Sequence, residues 1–183
     1  MTTLLQTGVR SGGGMHLTNY SVADQTPTAA TRVVILGSEL LIPPAGLRVG
    51  TILRWKFTGT KTAAGTATST IDICTGATKL AAAQTARVSF TKPAGTAAAD
   101  AGTFVVEAVV RSVSATGVIV GNFNMTHNLA ATGHAQIPSV NVQVAGAGFD
   151  NTALDGSYIA LAITTGASDA LTIEQCSAEL INP

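Results

Sequence analysis

The chain has 183 residues, a length that fits one domain, and only 11% of them are charged and 4% aromatic. Lys plus Arg and Asp plus Glu number 10 each, for a formal charge of zero. This excludes the clustered basic surface that draws phosphate, and with it electrostatic steering to nucleic acid. Thr, Ser, Asn and Gln must supply the surface polarity, and such a neutral exterior suits burial against other protein copies.

Met1 to Thr31 has few large apolar residues, a break at Ser11-Gly12-Gly13-Gly14, and Pro27. It reads as an extended arm with one short strand near Leu17 to Val22, either disordered or ordered by lying on a neighbour. Leu17 and Tyr20 are the candidate anchoring contacts, so deleting Met1 to Val22 is expected to abolish docking on that neighbour and leave a folded protein. No basic stretch precedes an apolar one at the start, so no signal peptide is expected. No run approaches the roughly 18 apolar residues of a membrane helix. The expectation is a soluble product of the cytoplasm without a membrane partner.

Residues 32–183 read as the folded domain. Arg32 to Leu36 and Glu39 to Ile42 are short β runs, the second stopped by Pro43-Pro44. Gly50 to Cys74 is the strongest segment. Leu53, Trp55 and Phe57 point one way; Ile52, Arg54, Lys56 and Thr58 point the other. That is the period of a strand with one buried face. Lys61 to Ser69 is a small-residue loop, and Thr70 to Cys74 a second strand with Ile71 and Ile73 inward. Lys79 to Ala83 has the composition for one helical turn. Ala86 to Thr91 reads as an edge strand, and Pro93 to Gly102 as another small-residue loop.

Thr103 to Val113 is the longest clean strand, with Phe104, Val106, Ala108 and Val110 on one face. Its other face, Val105, Glu107, Val109 and Arg111, is also partly apolar, so both are expected to be covered, by a second sheet or by another subunit. A turn at Ser114 to Gly117 returns the chain into Val118 to His127 as a hairpin. Pro138 to Ala145 is a half-solvated strand. Asp155 to Thr165 and Ala170 to Ile181 form the last pair, joined by Thr165-Gly166-Ala167-Ser168. The inward set of the first is Ile159, Leu161 and Ile163. In the second, the apolar parity switches after Glu174-Gln175, which predicts a β-bulge or a change of covered face. Eight to ten strands without a convincing helix predict an all-β antiparallel sandwich. Leu53, Trp55, Phe57, Phe104, Val106, Leu161 and Ile163 are its expected core anchors.

Chemistry-bearing residues are sparse. His127 and His134 flank a loop, and a metal site there would need Asp150 or Asp155 as third ligand; loop hydrogen bonding is the expected role, with no metal or cofactor. Glu107 is the acid most central to an apolar strand and is expected to face Arg54, Lys56 or Arg111 as a structural pair. Cys74 and Cys176 read as buried free thiols. Asn124-Met125-Thr126 matches a glycosylation acceptor inside a strand. No nucleophile elbow or phosphate loop is present. The chain is therefore expected not to be an enzyme. A carbohydrate-binding sandwich is a further reading, but it wants exposed aromatics; Tyr158 is the residue to test for it.

Several stretches together resemble a family of tailed-phage virion proteins. They are Ser38-Glu39-Leu40-Leu41-Ile42-Pro43, the run from Leu47 to Phe57, the run from Thr60 to Ala67, Val109 to Val113, and Met125 to Ala130. The similarity covers roughly Ser38 to the C-terminus; Cys74 departs from it, and the N-terminal arm is its least similar part. The resemblance implies a jelly-roll domain of about eight strands that forms a homotrimer on the particle. It implies capsid decoration (cement) on the major capsid protein, at the outer surface of the virion, or else a tail-fibre, spike or other tail appendage.

Overall fold

The computed structural model describes residues 6–9, 15–44, 46–134, 141–152, 154, 156–167 and 170–183. Their strands, in chain order, are β1 (Gln6–Val9), β2 (Met15–Ser21), β3 (Arg32–Val34), β4 (Leu40–Leu41), β5 (Ile52–Lys61), β6 (Ser69–Gly76), β7 (Gln84–Lys92), β8 (Asp100–Ser112), β9 (Val118–His127), β10 (Asn141–Ala145), β11 (Tyr158–Thr164) and β12 (Leu171–Asn182). A seven-stranded sheet runs β1-β2-β12-β5-β8-β9-β10, and a second sheet runs β3-β11-β6-β7 with β4 also on β11. Every pairing is antiparallel. The protein is an all-β sandwich, as its alternating sequence requires. The expected turn near Lys79 to Ala83 is a short 3-10 segment at Ala81–Ala83.

The pairing is nested. β2 pairs with β12, β3 and β4 with β11, β5 with β8, and β6 with β7. The chain thus behaves as one long hairpin folded across two sheets, with the β9 and β10 strands added after β8. Leu53, Trp55, Phe57, Phe104, Val106, Leu161 and Ile163 are all buried between the sheets. The rings of Phe57 and Phe104 stack at 4.7 Å, and Phe123 continues the stack 6.5 Å beyond Phe104. The parity switch in the last strand is a register shift between Ile173 and Gln175.

The short strand expected near Leu17 to Val22 is present as Met15–Ser21, but the extended-arm expectation is corrected there. That segment is a sheet strand, paired residue by residue with β12 from Cys176 to Asn182. Leu17 is buried in the core, and Asn19 is buried with its Nδ2 donating to Glu39 O at 2.7 Å. β2 fills a place in the seven-stranded sheet that no other strand takes, so it is part of the domain. The Gly12 to Gly14 break lies outside the described residues, as do Asp155, Ser168 and the first residues of the expected strand at Pro138.

β3 and β4 are one strand broken at Gly37, whose φ is +87°. A side chain there would strike the Tyr20–Ser21 backbone. Ser38 bridges the gap: its Oγ donates to Ile35 O (2.6 Å) and accepts from Leu161 N–H (3.1 Å). Trp55 Nε1 donates to Ser38 O at 2.8 Å, tying the break to the core.

Candidate interaction face and buried polar end

The two sheets differ in what covers their outer faces. On the β3-β11-β6-β7 sheet, Cys74, Ala160 and Ala162 are fully buried although they point away from the core. Val34 packs against them, and Arg32 reaches Asp72 Oδ2 (3.2 Å), Ala81 O (3.3 Å) and Gln84 O (2.7 Å). Cys74 Sγ lies 2.6 Å from Gln84 Oε1. Burial, against the pull of Arg32 and with the push of Asp72, raises the Cys74 thiol to about 12. Burial likewise raises Cys176. Both cysteines are free and stay protonated near neutrality, so neither is a ready nucleophile.

The seven-stranded sheet has no such cover among the described residues. Its outward side chains form cross-strand rows. One row is apolar: Ile181, Ile52, Val109, Val120 and Ala145, from β12 across β5, β8 and β9 to β10. The next is charged and polar: Glu179, Arg54, Glu107, Asn122 and Gln143. The third holds Ser177, Lys56, Val105, Asn124 and Asn141, with Tyr20 of β2 at its far end. An open hollow of about 490 Å³ crosses the first two rows between β5 and β10. The expectation that this face of β8 is covered is not met within the chain: Val109 is 42% exposed, and Glu107 and Arg111 are exposed as well.

Glu107 pairs with Arg54 at 2.7 Å, both about half exposed, as its position across β5 and β8 dictates. Glu179 reaches the same guanidinium at 3.8 Å. Both carboxylates serve one cation, the arrangement of a surface bridge. Of the two expected anchoring residues, Tyr20 is 44% exposed on this face, whereas Leu17 points into the core. Tyr158 lies on the other sheet, with Lys79 Nζ 5.4 Å from its ring centroid. Met125 is buried, so the Asn124-Met125-Thr126 match sits in a strand as expected.

At one end of the sandwich the inward positions turn polar. Lys61, Lys92, Asp100 and His134 are buried there, and the His127 side chain is nearly so. Lys61 Nζ donates to Thr62 O (3.1 Å), Thr96 O (2.9 Å) and Ala98 O (2.6 Å). His127 Nδ1 lies 2.8 Å from Asp100 Oδ2, and the His134 backbone N–H reaches the same oxygen at 2.9 Å. Burial opposes ionisation of Asp100, but these bonds and the two imidazoles hold its carboxyl below the usual range. The structure thus brings His127 and His134 together through Asp100. Asp150 instead accepts from Thr152 N–H and Oγ1 in its own turn. Among the described residues no group of three His, Cys, Asp or Glu side chains is placed to hold a metal.

Asp100, Lys61 and Lys92 had not been singled out in the sequence. Their signal was strand parity: Lys61 continues Leu53, Trp55 and Phe57; Lys92 continues Val88 and Phe90; Asp100 precedes Phe104 and Val106 on the same face.

No model of a known protein family matches the chain, and no curated protein matches it. Among solved structures, it is similar to a fructofuranosidase from Schwanniomyces occidentalis complexed with fructose, at 8% identity and a TM-score of 0.27. The match covers 99% of this chain and 40% of that one. So distant a likeness carries no argument about function.

Proposed function

We propose that the chain is a virion structural protein: a jelly-roll capsid decoration protein that trimerises on a phage shell and stabilises it. The observation that carries this reading is the outer face of the seven-stranded sheet, uncovered among the described residues, with its five-strand apolar row. The opposite outer face is closed by the chain's own Val34 and Gln84, so the contrast is a property of the sequence and not of sandwiches in general. An unpaired apolar row rimmed by polar residues is the usual mark of a protein contact.

The nested pairing of β2 with β12, β3 and β4 with β11, β5 with β8, and β6 with β7 supports the jelly-roll reading. The resemblance of Ser38 to the C-terminus to tailed-phage virion proteins supports the partner, a major capsid protein. The mechanism is mass action. A protein that binds the assembled shell and not its free subunits shifts the equilibrium towards the shell.

The test is to add purified protein to undecorated shells and image them by electron microscopy, with light scattering on the free protein for its oligomeric state. Trimers spread over the shell, and shells that melt at a higher temperature, are the expected result. Copies confined to the tail would favour the appendage reading. Absence from the particle would reject both.

A further inference from the structure

The polar end of the sandwich is built around a slot. Gly59 of β5 and Gly102 of β8 are direct partners, both at inward positions. The His134 imidazole occupies the space that Gly102 leaves, where a Cβ would lie 3.1 Å from His134 Cδ2; a Cβ on Gly59 would instead meet Thr172 O and Leu171 Cδ1. The ring is fully buried and meets Phe104 edge-on at 5.2 Å. Neither ring nitrogen has a well-formed hydrogen bond among the described residues, and only the Gly59 backbone offers a weak polar contact.

Four titratable groups face this ring: Lys61 from β5, Lys92 from β7, Asp100 from β8 and His127 from β9. The two ammoniums oppose a further positive charge. Asp100 favours one, but its Oδ2 already accepts from His127 and from the His134 backbone. Burial first, and Lys92 and Lys61 after it, push the His134 imidazole down to about 4.

The segment that delivers His134 is lightly tied. Gly133 N–H donates to Thr96 Oγ1 (2.7 Å), and Thr96 N–H to Gly133 O (2.8 Å). With the Asp100 bond to His134 N–H, these tie the Asn128–His134 loop to the Thr96–Asp100 segment. The Gly133 bond to Thr96 Oγ1 is partly buried and the Asp100 bond is buried, and neither involves the stacked rings of Phe57, Phe104 and Phe123.

We propose that this end of the sandwich is an acid-released latch: a protonated His134 leaves its slot over Gly59 and Gly102, and the Asn128–His134 loop parts from Thr96–Asp100 while the aromatic core stays packed. The sign follows from linkage. An imidazole free in the opened loop takes a proton below its ordinary pKa near 6.5, whereas the seated ring resists it, so acid favours the open form. The latch stands whether or not the chain decorates a shell.

Amide hydrogen exchange of the whole chain, corrected for the intrinsic effect of pH on exchange, tests this between pH 7 and 4. Peptides covering 128–134 are expected to lose protection at least about tenfold between pH 6.5 and 4.5. Peptides covering 52–58 and the Trp55 emission are expected to hold. His134→Phe, which fills the slot with a ring that does not titrate, is expected to keep the loop protected throughout. Loop protection that does not change with pH overturns the latch, as does loss of the loop and the Trp55 environment in one step. So does a His134→Phe variant that keeps the wild-type pH dependence. Should that variant fail to fold, an NMR titration of the wild-type imidazoles decides: loop opening must track the ionisation of His134, and opening at a different pH rejects the idea.

Discussion

Trp55 does two jobs with one side chain. Its ring fills the core beneath the seven-stranded sheet, and its indole N–H holds Ser38 O, at the point where the strand formed by β3 and β4 breaks. Trp55→Phe keeps an aromatic ring but leaves that carbonyl without its donor and a gap where the larger ring was. The expected cost is about 2–4 kcal/mol, read as a lowered urea midpoint with an unchanged slope. Wild-type stability in that variant would show that Ser38 O does not depend on the indole. Lys61 poses the opposite case, a cation inside the core end. Its ammonium satisfies three loop carbonyls, at Thr62, Thr96 and Ala98, and is Cα partner to Asp100 across the β5–β8 ladder. Lys61→Met preserves most of the volume and removes every donor, so a loss of about 3 kcal/mol or more is expected in chemical denaturation. A neutral result would mean that water replaces the ammonium, and that this end of the sandwich is wetter than its burial suggests.

At the scale of elements, β2 decides how the N-terminal segment behaves. Deleting Met1 to Val22 strips β12 of its partner along seven residues and opens the core at Leu17. The expected outcome is therefore loss of the cooperative transition, and not the folded truncation that an arm would leave; a sharp thermal melt in the truncated protein would restore the arm. The sequence shows a short strand near Leu17 to Val22 but not its place in the sheet, and the reason is physical. Its two most buried residues are Leu17 and Asn19, and an inward asparagine is indistinguishable from a loop asparagine until Glu39 O is seen to accept from it. β5, β8 and β11 were legible because their inward residues are large and apolar, and the bulge in β12 was legible because a parity switch has few other causes. The polar end is as hard to read as the place of β2 in the sheet. Alternation signals a buried face only while its inward residues are hydrophobic, yet Lys61, Lys92 and Asp100 keep the alternation and change only the chemistry. Pairing across strands, such as Lys61 with Asp100 or Gly59 with Gly102, joins positions some forty residues apart in the chain, and no local pattern encodes it.

For the whole molecule, the decisive asymmetry is between the two outer faces. A surface with so few charges has little long-range field, so association must rest on contact area and on the removal of apolar groups from water. Val109 sits in the middle of the apolar row, with Ile52 and Val120 as its direct neighbours on adjacent strands. A carboxylate placed there stays solvated in the free protein, so Val109→Glu should change folding stability by no more than about 0.5 kcal/mol. Docking would bury that charge without a partner, so binding to shells or to sister copies should weaken by at least about tenfold. Leu80→Glu supplies the matched control. Leu80 is 71% exposed on the 76–84 connection beside the other sheet, and the same gain of charge there should leave association untouched. Sedimentation of each variant with undecorated shells, alongside light scattering of the free proteins, separates the cases. If Val109→Glu binds like the wild type while Leu80→Glu does not, the docking face is on the other side of the sandwich. If neither change matters, association does not run through either face, and the terminal strands of the seven-stranded sheet, β10 and β1, become the place to look.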